Sequence, residues 1–195
     1  TASDKLFGCL REIGLILDEA KASMTKALDH LEQELMKIRA GKANPAMLNG
    51  IMVEAYGAPT PLSGAATITV PDSRMIAIQP WDKTLIGPIE KAIMQANIGL
   101  TPQNDGQLIR INIPPLTEER RRDLTKQTKG EGEKSKIAIR NIRRDYIEDI
   151  KKLKKDGAAE DLIKDGEEKM QKLTDGFIDK VDKYLEIKEK EIMTV

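Results

Sequence analysis

Apolar positions repeat at helical spacing in three long segments of the chain, and at strand spacing in a block between the first and second. From Asp18 to Ala40, the residues Met24, Leu28, Leu31, Leu35 and Ile38 are separated by 4, 3, 4 and 3, which is the seam of a bundle helix. Gly41 suits the end of that helix, and Pro45 forbids its continuation. A second helix is predicted from Thr117, a candidate N-cap, to about Lys155, with Ile139, Ile142, Tyr146, Ile150 and Leu153 on one side. Unbroken, it would span about 58 Å. A third runs from about Ala159 to Met193, with Met170, Leu173, Phe177, Val181, Tyr184 and Ile187 in line. Asp156-Gly157 supplies the turn between the last two. Three amphipathic stripes bury one another most simply as a three-helix bundle.

Residues 42–113 change period. Ile51–Tyr56, Ala66–Val70, Met75–Gln79 and Leu108–Ile113 are short β-branched or alternating runs bounded by glycines and prolines. Asp82–Ala96 returns to helical spacing at Leu85, Ile89, Ile93 and Ala96. The predicted class is α+β. An elongated three-helix bundle comes from residues 12–41 and 114–195, and a small β-α-β domain, 42–113, is inserted into it. Residues 1–11 stand apart as an N-terminal extension without predicted order. The chain leaves the bundle at Gly41–Pro45 and returns at Pro114-Pro115. Stiff, turn-forming sequence at both crossings marks Gly41, Pro45, Pro114 and Pro115 as a hinge.

Net charge is zero and hides a segregation along the chain. Residues 114–155 hold 14 basic against 8 acidic side chains, and 156–195 hold 7 against 12. Charge alone fits a nucleic-acid surface or two helices that neutralise each other. Arginine spacing sharpens the first reading. Arg140, Arg143 and Arg144 fall at i, i+3 and i+4, so they are expected on one face, away from Ile139. Arg120, Arg121 and Arg122 open the same helix, while Arg39 and Lys42 lie beside the first crossing. Guanidinium forks suit phosphate oxygens. With no aromatic residues interleaved, stacking on single strands is disfavoured, and folded, double-helical RNA is the better target.

Enzyme chemistry is hard to assemble from this inventory. The one histidine, His30, sits between Asp29 and Leu31 on the first helix, as a surface or bundle-edge residue would. Cys9 has no evident histidine partner, and one His with one Cys cannot make a zinc site. Gly130-Glu131-Gly132-Glu133-Lys134-Ser135 lacks the spacing of a phosphate loop and puts carboxylates where phosphate oxygens would sit. It reads instead as a weak point in a long helix. No catalytic residue, metal or cofactor is expected. A single cysteine allows no internal disulfide, no apolar run is long enough to cross a membrane, and Leu6–Leu17 lacks a secretory cleavage pattern. A cytoplasmic monomer is the expectation.

Several ordered motifs carry a resemblance. Lys37-Ile38-Arg39-Ala40-Gly41-Lys42-Ala43-Asn44-Pro45, Tyr56-Gly57-Ala58-Pro59-Thr60-Pro61-Leu62 and Glu90-Lys91-Ala92-Ile93 are three of them. They continue with Pro114-Pro115-Leu116-Thr117-Glu118-Glu119-Arg120-Arg121, Arg140-Asn141-Ile142-Arg143-Arg144-Asp145 and Gln171-Lys172-Leu173-Thr174-Asp175. From about residue 12 to 195 the chain resembles the bacterial ribosome recycling factor family. Trp81 stands where that family more often has Phe or Tyr, and the glycines at 130 and 132 are unusual for it. The resemblance implies an L-shaped, two-domain molecule. It also implies binding to the large ribosomal subunit after termination, and subunit splitting with elongation factor G and GTP. Arg39, Lys42, Arg121, Arg140, Arg143 and Arg144 are the expected ribosomal RNA contacts. The rival reading is a protein-interaction adaptor using the acidic third helix.

Overall fold

The three predicted stripes become buried helix faces in the computed structural model, which describes residues 1–38 and 40–194. The chain divides into two units, Thr1–Ile38 with Glu118–Val195, and Arg39–Thr117.

The first unit consists of α1 (Ala2–Lys37), α3 (Glu118–Lys152) and α4 (Glu160–Met193). Helix α1 buries Ile13, Ala20, Met24, Leu28, Leu31 and Leu35, a heptad-like series whose first member lies upstream of the predicted start. The segment 1–11, set apart above as an unordered extension, belongs to this helix from Ala2 onward. Its first turn is capped by Asp4, whose carboxylate accepts from the Thr1 hydroxyl at 2.5 Å. Periodicity could not find these turns, because their large apolar residues Leu6, Phe7 and Leu10 are exposed.

Helix α3 buries Leu124, Thr128, Gly132, Ser135, Ile139 and Ile150, so much of its inner stripe is small or polar. The Thr128 hydroxyl is satisfied within the helix, donating to the Leu124 carbonyl at 2.8 Å. Residues 130–135 are helical throughout, which leaves no loop to cradle a phosphate. The two glycines there differ. A side chain on Gly130 would meet nothing within 4 Å, whereas a Cβ on Gly132 would collide with the Leu185 side chain of α4. Gly132 is thus a point of close approach between α3 and α4, not a weakness. The helix closes in a 3₁₀ turn, Leu153–Asp156, and reverses at Gly157 with φ of 89°.

Helix α4 buries Ile163, Gly166, Met170, Thr174, Phe177, Val181, Lys188 and Ile192. Ile187, expected in this stripe, is 65% exposed. Successive residues advance by about 100°, so a position seventeen beyond Met170 has drifted well off the buried centre, and Lys188 takes its place.

The second unit carries a hairpin, β1 (Met52–Ala55) with β2 (Ala58–Pro61), and a four-stranded antiparallel sheet ordered β3-β4-β6-β5. The sheet strands are β3 (Ala66–Asp72), β4 (Met75–Pro80), β5 (Pro102–Asn104) and β6 (Ile109–Asn112). Helix α2 (Ile86–Gln95) contributes Ile89 and Ile93 to a core shared with Val53, Ile76, Ile78, Ile109 and Ile111. Strands β2 and β5 escaped sequence reading because both contain proline and lie at edges, where missing N–H donors cost no ladder bond. The β1–β2 turn places Tyr56 at φ 54° and Gly57 at φ 78°, the doubly left-handed geometry that favours Asn-Gly.

Both chain crossings are fastened to one turn of the sheet. Ala43 N–H donates to the Ser73 carbonyl at 2.7 Å, and Ile113 N–H donates to the Arg74 carbonyl at 2.8 Å. Gly41, at φ 72°, lies so close to Leu116 that a Cβ there would stand 2.8 Å from Leu116 Cγ.

Candidate nucleic-acid interface

Helix α3 carries a basic flank along nearly its whole length. Arg122, Lys126, Lys129, Lys136, Arg140, Arg143 and Lys151 recur at steps of 4, 3, 7, 4, 3 and 8, and Arg144 borders the same strip. Only Glu133 and Ile147 interrupt the series. From Arg122 to Lys151 the flank runs about 43 Å. It lies beside the stripe that packs on α4, so its inner members touch α4 and its outer members face solvent.

The inner members separate by chemistry. Lys136 bonds Asp182 at 2.6 Å and Lys151 meets Glu167 at 3.7 Å, so lysines make the ion pairs between α3 and α4. Arg143 instead donates through Nη1 to the Gln171 amide oxygen at 2.6 Å, and Gln171 donates in turn to Asp175 at 2.8 Å. A neutral amide fixes this guanidinium without cancelling its charge. The expectation that Arg143 shares one open face with its neighbours needs correction. It is half-buried, and its Nε is shut from water without a partner. The reason is its angle, four residues beyond the fully buried Ile139 and turned toward α4.

Arg140 and Arg144 are exposed. Arg144 makes a loose contact of 3.7 Å with Asp145, both side chains about two-thirds exposed, which contributes little. Arg140 has no ion pair among the described residues. Arg121 lies five turns before Ile139 on the same bundle-facing side; it is half-buried, with its Nε unpartnered. Its neighbour Arg122 is the one on the flank, bonded to Glu118 at 2.8 Å. Lys42 is exposed and belongs to the second unit, and Arg39 lies outside the described residues. Of the hinge candidates, Gly41, Pro45, Pro114 and Pro115 all fall within the second unit.

Lys126, Lys129, Lys136 and Lys151 lie outside the arginine clusters yet extend the same flank. Their signal was present as a second heptad series, offset from the apolar one. Chemically, the flank offers a row of donors matched to a phosphate backbone, with arginine fixed at Arg143 and open at Arg140.

Comparison with known proteins gives a consistent result. The ribosome recycling factor family model matches residues 31–193. The ribosome-recycling factor of Cytophaga hutchinsonii is 56% identical over 186 residues, 95% of this chain and 100% of that protein. A solution structure of a ribosome recycling factor superposes with a TM-score of 0.73 at 41% identity, covering 94% of this chain and 98% of that one. A second structure is described as the Thermus thermophilus ribosome recycling factor and the Escherichia coli elongation factor G bound to the Escherichia coli post-termination complex. It is similar at a TM-score of 0.60 and 44% identity, covering 93% of this chain and 99% of that one.

Proposed function

This chain belongs to the ribosome recycling factor family, and we propose that it binds the large ribosomal subunit after termination and, with elongation factor G and GTP, splits the ribosome into subunits. The observation that carries the reading is the basic flank of α3, whose arginines are not neutralised by the acidic residues of α4. Arg140, Arg143 and Arg144 contact ribosomal RNA phosphates in this reading, with Arg39, Lys42 and Arg121 supporting them. GTP hydrolysis belongs to the elongation factor; this chain acts without catalysis, as a wedge whose two units bend about Gly41, Pro45, Pro114 and Pro115. The adaptor alternative has less surface to use, since Asp182 and Glu167 of α4 are engaged by Lys136 and Lys151.

The deciding experiment measures subunit splitting of post-termination ribosomes with and without elongation factor G, alongside ribosome pelleting across a salt series. Splitting that needs both factors, and affinity that falls steeply with salt, is the expected pair of results. Affinity insensitive to salt would refute the phosphate reading.

Replacing Pro114 and Pro115 together with glycine should lower the splitting rate several-fold while ribosome affinity changes less than about twofold. Proline fixes φ, and glycine adds backbone freedom that any productive orientation must lose again. Both prolines are exposed, so no core packing is removed. Equal losses in rate and affinity, or no loss in either, would show that the joint does not transmit motion.

A further inference from the structure

The second unit has two aromatic side chains between residues 40 and 117, Tyr56 and Trp81, and both are outside the core. Tyr56 is 81% exposed and Trp81 67% exposed. Asp82 links them: it accepts from Tyr56 and follows Trp81 in the chain. The Tyr56 hydroxyl donates to Asp82 Oδ2 at 3.2 Å, and the Trp81 indole N–H donates to the Thr67 hydroxyl at 2.9 Å. Each ring's polar atom is thus satisfied inside the protein, which fixes the ring and leaves its π-faces for something else. Trp81 is further anchored through its backbone N–H to the Ala65 carbonyl at 3.2 Å.

Local folding does not explain the tyrosine. At φ 54° a bulky aromatic residue is disfavoured and Asn is preferred. The turn would form more readily without the ring, so the ring's value lies outside the turn.

Charge at the patch narrows the partner. Glu54 is on the outer face of β1, alternating with the buried Val53 and Ala55, and it makes no ion pair among the described residues. The Asp82 carboxyl is held below the usual carboxylate range, chiefly because it accepts the Thr84 backbone N–H, with the Tyr56 hydroxyl adding to this. The nearest cation in sequence, Lys83, pairs with neither carboxylate. Two exposed rings, one bonded to the Asp82 carboxylate and the other next to it in the chain, with the exposed Glu54 two residues before Tyr56, repel a phosphate backbone and attract a planar cation.

We propose that Tyr56, Trp81, Glu54 and Asp82 form a receptor for an arginine side chain presented by a protein partner. The guanidinium stacks on the indole and phenol faces, and its N–H groups reach the two carboxylates. This surface belongs to the second unit and is opposite in sign to the α3 flank. It gives the second unit a protein contact of its own, whatever the first unit binds.

Trp81 is the chain's one tryptophan, so its indole N–H is a unique NMR signal in this chain. The probes are a short glycine–arginine peptide, the same peptide with citrulline for arginine, and an oligoadenylate strand. The arginine peptide should shift the Trp81 signal saturably, at least about tenfold more tightly than the citrulline peptide. Tyr56→Asn should weaken that binding about fivefold and Glu54→Gln about threefold. Tyr56→Asn suits the turn, so the variant should fold and a loss can be assigned to the ring. An equal response to the citrulline peptide, a stronger response to oligoadenylate, no saturable shift, or unchanged affinity in both variants would each overturn the proposal.

Discussion

Arg140→Glu is expected to weaken binding to the large ribosomal subunit by about 100-fold at moderate salt, with thermal stability unchanged or slightly raised. Stability holds because Arg140 is exposed and has no ion pair among the described residues to lose. Moreover, a glutamate there stands one turn from Lys136, Arg143 and Arg144, and pairs at these spacings support a helix by about 0.2–0.5 kcal/mol each. The same pairs draw two further arginines away from phosphate while the new carboxylate repels it. Binding loss and stability gain therefore share one cause. The dependence of log affinity on log salt should flatten by about one to two. Pelleting with ribosomal subunits across a salt series, set beside a melting curve of the same sample, reads both quantities. A Tm drop of many degrees with affinity intact would make Arg140 a structural residue.

The second large effect concerns the two glycines of α3, and it has opposite signs two residues apart. Gly130→Ala should stabilise the chain by about 1 kcal/mol, since alanine is the better helix former and open space surrounds the site. Gly132→Val should destabilise it by about 2–3 kcal/mol, because its branches would enter the volume held by Leu185. Gly132→Ala falls between. Leu185 is half-buried and can swing outward, giving up packing that the gain in helix propensity roughly offsets. For a chain of this size, each kcal/mol moves Tm by about 2–4 °C. Denaturant unfolding of the three variants would check the order. Equal effects at 130 and 132 would show that α3 and α4 do not approach as closely as the Gly132–Leu185 contact requires.

Apolar period carried the bundle from sequence to structure, because helix packing depends on little more than the seam. Met24, Leu28, Leu31, Leu35, Met170, Phe177 and Val181 are all buried as the spacing requires. The same logic failed where a helix has no partner for its apolar residues, as at Leu6, Phe7 and Leu10, and where the buried stripe is not apolar, as at Thr128, Gly132 and Ser135. Strands with proline were invisible, since proline reads as a break yet is harmless at an edge. For the arginines, spacing assigned a flank of the helix but not the neighbour beside it. Whether Arg143 is open or pinned depends on Gln171, 28 positions away. Tyr56 and Trp81 are 25 positions apart, and nothing in their spacing ties Tyr56 to Asp82, the residue after Trp81.

The paired hydrogen bonds from Ala43 and Ile113 to adjacent carbonyls of one turn bear on how this chain could be edited. Since Ser73 and Arg74 are consecutive, the strands they hold lie within about 10 Å of each other. Residues 40–117 thus begin and finish at nearly the same point, as a cassette does. Such a segment can be excised and its flanks rejoined by a short turn, or grafted into another scaffold, without stretching the backbone at the cut. Circular permutation follows from the same geometry: new termini opened elsewhere in the segment leave the old ends already side by side.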